Sequence, residues 1–331
     1  MSVHRLFGTG IMIRLFKAYE PSPLIVQDPP EGWILPEGVV WIDLVEPSRR
    51  EELAIEACLG LQVPTPEEMA EIEATSRLYR QGDALFITVD LLHHTDAVLP
   101  ETRPVTFILS SQPLITVRYS EPRAFTMVGD RFDREPELCA GPFRVLAHLF
   151  EAVIDRMADV IERIAGEVES VSDNIFGEPG RTHYAEAIKR LGVAQHASAR
   201  IGNSLSGLDR ALSFIQLDDD LAERTEAREH LRSMARDIHS LHAHIGMIAQ
   251  AVDFQLNAAL GLINIEQSGI IKIFSVAAVA FMPPTLIASI YGMNFQHMPE
   301  LARTWGYPAA LAAMVVSAVL PLWYFKKRGW L

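Results

Sequence analysis

The stretch YGMNFQHMPEL, residues 291–301, lies between two long apolar segments near the end of the chain. It is short and rich in groups that hydrogen-bond or bend the backbone, among them Gly292, Asn294, His297 and Pro299. Its only formal charge is Glu300. Residue types of this kind, held between two membrane spans, suit the mouth of an ion channel, where polar atoms meet ions without trapping them. That chemistry needs both flanking segments to be spans.

The first segment, GIIKIFSVAAVAFMPPTLIASIYG, covers residues 269–292 and is apolar except for Lys272. At about 22 residues it is long enough to cross a bilayer. The second, YPAALAAMVVSAVLPLWYF at residues 307–325, carries no charge and is followed at once by KKRGWL. Trp305 and Tyr307 at one end, with Trp323 and Tyr324 at the other, read as interfacial belts. Either segment alone could be a buried core helix. Two in tandem, with aromatic ends and a basic tail, favour spans. The basic tail places the C-terminus in the cytoplasm, and two spans return the preceding body to the same side, as in a bacterial-type inner membrane. A single hairpin cannot enclose a pore, whereas several copies can. Ser275, Ala277, Ala278, Ala280, Thr285, Ala288 and Ser289 in the first span suit close packing or pore lining. Pro283 and Pro284 remove backbone bonds and should bend or loosen the helix there.

The elements upstream must carry these spans. Leu231, Met234, Ile238, Leu241, Ile245, Ile248 and Val252 keep steps of three and four, and the pattern continues to Ile263. No proline occurs from Ala227 to Met282, so a continuous helix there would be about 85 Å long. It reads as a stalk that enters the membrane without stopping. Two earlier helical runs cover residues 143–176 and about 182–216, with GEPG and LDDDL as the turns after them. Ahead of these, VVWIDLV, ALFITVDLL, VTFILSS and PLITVRY read as strands, and Ser48 and Gly60 bound a helix. The reading is an α+β membrane protein: an α/β domain at 1–141, a helical hairpin at 142–225, a stalk at 226–268, a first span at 269–291, an outer loop at 292–306, a second span at 307–325 and a basic tail at 326–331.

The chain has 331 residues, 49% hydrophobic and 21% charged. From Ser268 onward five basic residues stand against Glu300, a net +4, so the preceding part carries −17 of the overall −13. Such an acidic body argues against nucleic-acid binding, which needs clustered Lys and Arg. It is compatible with divalent cations, although most of these carboxylates read as ordinary solvated surface. Cys58 and Cys139 are far apart and form no metal or disulfide framework. The N-terminus lacks an uninterrupted apolar run, so no signal peptide is read, and Met12 is an alternative start. GxSxG, HExxH, zinc-finger, dinucleotide and GxxxxGK[ST] motifs do not occur, which makes an enzyme reading poor.

YGMN directly after the first of two C-terminal spans, MPEL four residues on, INIEQSGIIKIFS upstream and the ending YFKKRGWL resemble the CorA family of divalent-cation channels. The resemblance is good over residues 261–331 and looser in the body, through VVWIDLVEPS and PLITVRY. It implies a homopentamer with a funnel-shaped cytosolic α/β domain, passing Mg2+ (also Co2+ and Ni2+) down the membrane potential. Gly292, Met293 and Asn294 would form the selectivity filter, with Tyr291, His297 and Glu300 in the outer loop. Mg2+ gives up its water reluctantly, so a ring of neutral Asn294 amide oxygens can accept hydrogen bonds from its hydration shell without stripping it. Gly292 would permit a sharp turn, and the Met293 thioether is too soft to ligate Mg2+. Gapless counting puts the family's pore-facing positions at Thr285, Met282, Phe274 and Ile271. Many members have Asn one turn lower, where this chain has Ser268, and Asn264 on the same face is a substitute.

The family's brake is cytosolic Mg2+ held between subunits by acids. Counting puts one such acid at Ser233, so Asp237, one turn on, is the candidate here, with Asp90 as its partner from the α/β domain. No organic cofactor is implied. A zinc transporter of the same superfamily is the alternative, with His230, His239, His242, His244, His93, His94 and His297 as its possible signal. A non-transporting membrane-anchored sensor or scaffold is the alternative of another class. Asn294→Ala separates them, since a scaffold tolerates the change and a channel does not.

Overall fold

The computed structural model describes residues 12–110, 113–177, 184–217, 225–293, 298–299 and 303–329. They fall into two compact units, 1–255 and 256–331. The first is built on a seven-stranded sheet: β1 (Met12–Lys17), β2 (Leu24–Val26), β3 (Val39–Val45), β4 (Leu78–Gln81), β5 (Ala84–His93), β6 (Glu101–Leu109) and β7 (Leu114–Arg118), in the order β2-β1-β3-β7-β6-β5-β4. Only β3 and β7 pair in parallel, and the segment between them holds the helices α1 (Arg49–Leu59), α2 (Pro66–Met69) and α3 (Ala74–Arg77) as well as the β4–β6 meander.

The central strands are buried on both faces, so they read as near-continuous apolar runs, with period two deciding which face each residue joins. Ile13, Leu15, Ile42, Leu44, Ile115 and Val117 pack with Ile55 of α1, Val63 and Met69 of α2. Serine 48 caps α1, its side chain accepting from the Glu51 amide while Glu51 reaches back to the Ser48 amide. Gly60, at φ 68°, ends it in the left-handed region. On the other face Phe16 stacks on Trp41 at 4.1 Å, and Phe125 and Phe132 of α4 (Arg123–Arg134) close over them. Phe107 meets Phe150 of α5 (Pro142–Phe176) edge-on at 5.1 Å.

That second face also holds a buried ion pair. Arg118 donates to both Asp43 oxygens at 2.9 Å, and each side chain is 1% exposed. Thr116 accepts from the Trp41 indole at 2.9 Å and donates to Asp43 at 2.8 Å, so the carboxylate's lone pairs are used. Buried charge is tolerated only when it is satisfied in this way.

Three long helices complete this unit: α5, α6 (Tyr184–Gln216) and the start of α7 (Thr225–Tyr291). The apolar stripe Leu231, Met234, Ile238, Ile245, Ile248 and Val252 is buried, as the spacing predicts. Polar contacts fix the register. Arg190 of α6 meets Glu167 of α5 at 2.6 Å, His242 of α7 meets Ser206 of α6 at 2.9 Å, and Gln255 donates to the Val168 carbonyl of α5.

The sequence reading missed β1, β2, β4, α3 and α4. It places the β6 strand at residue 105, whereas β6 begins at Glu101 because Pro104 stands opposite Asp90 without ending the ladder. The second unit contains the rest of α7 and α8 (Gly306–Lys327). Both are long and apolar enough to cross a membrane.

Candidate permeation site and a cavity beside it

The last part of α7 is helical through Pro283 and Pro284 to Tyr291. The prolines have no amide to offer the Val279 and Ala280 carbonyls, and one turn on the Thr285 hydroxyl donates to the Phe281 carbonyl at 2.7 Å. The expected effect of the pair is therefore absorbed without a break in the helix.

Two sides of this segment differ. Val276 and Ala280 are buried, and Pro283, Pro284 and Ile287 beyond them are half-buried. At about 100° per residue these stand on one side. Ile271, Phe274, Met282 and Thr285 are all exposed, and they project from the opposite side. Ser268 and Asn264, also exposed, continue that second side downward. The positions expected to line a pore are exposed, as are Ile270, Ile273, Phe281 and Leu286 of the same segment. On α8 the half-buried residues Ala310, Met314, Ser317, Pro321 and Phe325 likewise form one side.

The helix closes at Gly292 and Met293. The Gly292 amide donates to the Ala288 carbonyl at 3.0 Å, and the Met293 amide donates to Ile290 at 3.3 Å, tightening the final turn. A Cβ on Gly292 would lie 3.2 Å from the Ala288 oxygen and 3.6 Å from that of Ser289. Glycine fits this close approach, and the turn expected of it runs on into residues outside those described. Tyr291 and Met293 are exposed. Asn294, His297 and Glu300 lie outside the described residues.

The aromatic belts carry cations. Arg303 lies 5.8 Å from the Trp305 ring, Lys327 lies 5.4 Å from Trp323, and Arg328 lies 5.6 Å from Tyr324. Such pairs belong at the headgroup level, where one end of the ring is wet.

Asp90 and Asp237, the candidate regulatory acids, have different surroundings. Asp90 accepts from Arg77 at 2.7 Å, and its backbone carbonyl accepts from Ser204 of α6. Asp237 is exposed and lines a cavity of about 650 Å3 between α4, α5 and α7, whose lining does not include Asp90. Oxygen donors suit Mg2+, and the guanidinium on Asp90 opposes a second cation there. Among the described residues no three His, Cys, Asp or Glu side chains are grouped so as to hold a metal ion.

The cavity brings His230 and Asp237 together with His148, Glu151 and Asp155, which the sequence did not single out. His148 Nδ1 is 3.0 Å from Glu151 Oε2, and His230 Nε2 is 2.9 Å from Glu151 Oε1. The hydrogen bond from His148, then the charge of His230, hold the Glu151 carboxyl below the usual range against its own desolvation. Burial, and then the neighbouring Glu151, Asp159 and Asp237 charges, push Asp155 up. The only sequence signal was His148 and Glu151 at i,i+3 on one helix. His230 reads from sequence as a solvated stalk residue, and its pairing across helices has no local signature.

An acidic mixed α/β unit, a helix running from it into a first span, and a second span after a short Gly-Met-Asn loop define a two-span membrane transporter class. The comparisons make that specific. The model of the family described as CorA-like Mg2+ transporter protein matches residues 36–327. The magnesium transport protein CorA of Pasteurella multocida is 37% identical over 294 residues, covering 89% of this chain and 92% of its own. That of Escherichia coli K12 is 37% identical over 296 residues with the same coverage. Among solved structures, the CorA magnesium transporter of Methanocaldococcus jannaschii is similar in fold, with a TM-score of 0.78 and 19% identity over 98% of this chain and all of that one. The full-length CmaX protein is similar at a TM-score of 0.72 and 15% identity, covering 98% of this chain and 99% of its own. The chain belongs to the CorA-like Mg2+ transporter family. It is a transporter family, so the non-enzyme reading holds.

Proposed function

We propose that this chain is a homopentameric channel for Mg2+, with Co2+ and Ni2+ as lesser cargo, driven inward by the membrane potential. The observation that carries this reading is 37% identity to magnesium transport proteins over 89% of the chain. Two charges falling through 100 mV release about 4.6 kcal/mol, roughly three decades of accumulation, so no ATP is needed. A ring of Asn294 amides after Gly292 and Met293 accepts hydrogen bonds from the hydrated ion. The exposed side of α7 lines the path below, with Thr285 as a polar station and Met282, Phe274 and Ile271 as apolar rings that close by dewetting. Ser268 and Asn264 form its cytosolic end.

Cytosolic Mg2+ bound at Asp237 of one subunit and a neighbouring surface that includes Asp90 closes the channel. Both termini are cytoplasmic in this reading. The test is Mg2+ uptake into sealed liposomes holding the purified protein and an internal indicator. Wild type takes up Mg2+ and is slowed as internal Mg2+ rises. Asn294→Ala loses about 1.5 kcal/mol or more of ion binding, roughly tenfold in uptake or selectivity. Unchanged uptake by Asn294→Ala contradicts the filter, and Zn2+ moving without Mg2+ favours a zinc transporter.

A further inference from the structure

Both ends of α8 carry aromatic rings, but its C-terminal end also gathers charge. Residues 301–331 contain no Asp or Glu, and Lys326, Lys327 and Arg328 follow one another where the helix stops. All three are exposed. Trp323 and Lys327 are four residues apart, as are Tyr324 and Arg328, so two ring–cation columns stand side by side. At about 100° per residue the Trp323 column lies opposite the half-buried side that runs through Met314, Ser317, Pro321 and Phe325. The columns therefore face outward, toward lipid.

This geometry holds the charges at one depth. A helical side chain tilts toward the N-terminus, so Lys327 and Arg328 fold back over rings one turn nearer the apolar stretch. Lys327 Nζ is 5.4 Å from the Trp323 ring centre, and the Arg328 guanidinium is 5.6 Å from that of Tyr324. Interfacial rings sit at the headgroup level, and the cations over them are kept at that level instead of reaching on into water. Lys272, also exposed, joins them. It lies 19 residues before Tyr291, and Lys326 lies 19 after Tyr307. Each is therefore about 28 Å from the end of its helix nearer the loop. The carbonyls at the C-terminus of α8 supply only about half a negative charge against three cations.

We propose that the end of α8 binds the headgroups of anionic phospholipids, with Lys327 and Arg328 on the phosphate and Lys326 and Lys272 adding charge beside it. A guanidinium matches two phosphate oxygens at once, and an ammonium adds a point charge next to it. A zwitterionic lipid offers the same phosphate, but its own ammonium is repelled by the patch, so the preference follows net charge. The rings fix the depth, so the site takes a headgroup in the plane of the bilayer and not a free ion in water. In the proposed orientation this is the cytoplasmic leaflet, whose surface is negative. The inference rests on both helices being spans, and not on which ion passes or how the path closes.

The test is native mass spectrometry of the full chain, titrated in detergent with phosphatidylglycerol or with phosphatidylcholine of the same acyl chains. A cation near an anionic surface is worth about fivefold in binding, so wild type should hold phosphatidylglycerol at least about tenfold more tightly. Lys327→Gln combined with Arg328→Gln should bring the two lipids within about twofold of each other, at unchanged oligomeric mass. Exchanging the cations, Lys327→Arg with Arg328→Lys, should keep the preference. Arg303→Gln, at the other end of the span, should keep it too. Excess inorganic phosphate should not displace the lipid. Equal retention of the two lipids by wild type, a preference that survives the double glutamine variant or is lost in Arg303→Gln, or displacement by inorganic phosphate overturns the proposal. Lipid retention is read without ion flux, so its failure leaves the channel reading standing, and failure of the channel reading leaves the lipid site standing.

Discussion

A Cβ on Gly292 would lie 3.2 Å from the Ala288 carbonyl oxygen, so a side chain there requires the last turn of α7 to give slightly. In the proposed channel, Gly292→Ala should shift that turn and lower Mg2+ uptake, while the protein is still recovered in assembled form. Assembly without loss of uptake would show that the close approach is irrelevant to the filter. In the soluble body, Arg118→Ala leaves Asp43 buried and unpaired, a loss of about 3–5 kcal/mol that a denaturation curve would register. Asp155 carries the opposite sign. Its raised pKa means the folded state favours the protonated form, so its ionisation costs stability as pH rises above the carboxylate range. Asp155→Asn should raise the melting temperature at pH 7, and the gain should fade as pH falls toward the ordinary Asp value of 3.8. Membership of the family was legible because Gly292-Met293-Asn294 between two apolar segments makes a rare local word. The Glu151 bridge was not, since its second partner lies on another helix and only the folded bundle places it there.

At the scale of elements, the two sides of α7 make separate predictions. Phe274 lies on the uncovered side and Val276 on the covered one, although both read as plain membrane apolars in sequence. Phe274→Ala should raise uptake at high internal Mg2+ by widening an apolar ring. Val276→Ala should instead reduce the yield of folded protein and leave the feedback unchanged. Equal effects of the two on flux, measured in the same liposomes, would contradict the division. Long helices were legible because thirty or more residues of unbroken three-four steps have no competing explanation, as α5 and α6 show. Short elements were not. Strand β1 carries Arg14 and Lys17 among its apolar residues and is buried on both faces, so alternation gives no signal. Helix α4 carries Phe125, Val128 and Phe132 at helical steps, but Pro122 before it and Gly129 within it mask the pattern.

For the whole molecule, an acidic body of net −17 is joined to a weakly basic C-terminal part of net +4. The exposed stripe of α7 needs other copies to become a pore wall. Native mass spectrometry should therefore give a species of five times 36.9 kDa, and a monomer as the main species would contradict the assembly. Asp237→Asn should weaken inhibition by internal Mg2+ more than Asp90→Asn does, because Asp90 already satisfies Arg77. The reverse order in a titration of uptake against internal Mg2+ would exchange their roles. The most direct test of the account is uptake under an imposed potential. Liposomes holding the protein, a K+ gradient and valinomycin set the voltage, and an internal indicator reports free Mg2+. Uptake without ATP that rises with inside-negative potential, and reverses when the potential does, is the predicted result. Uptake indifferent to voltage would contradict a passive channel.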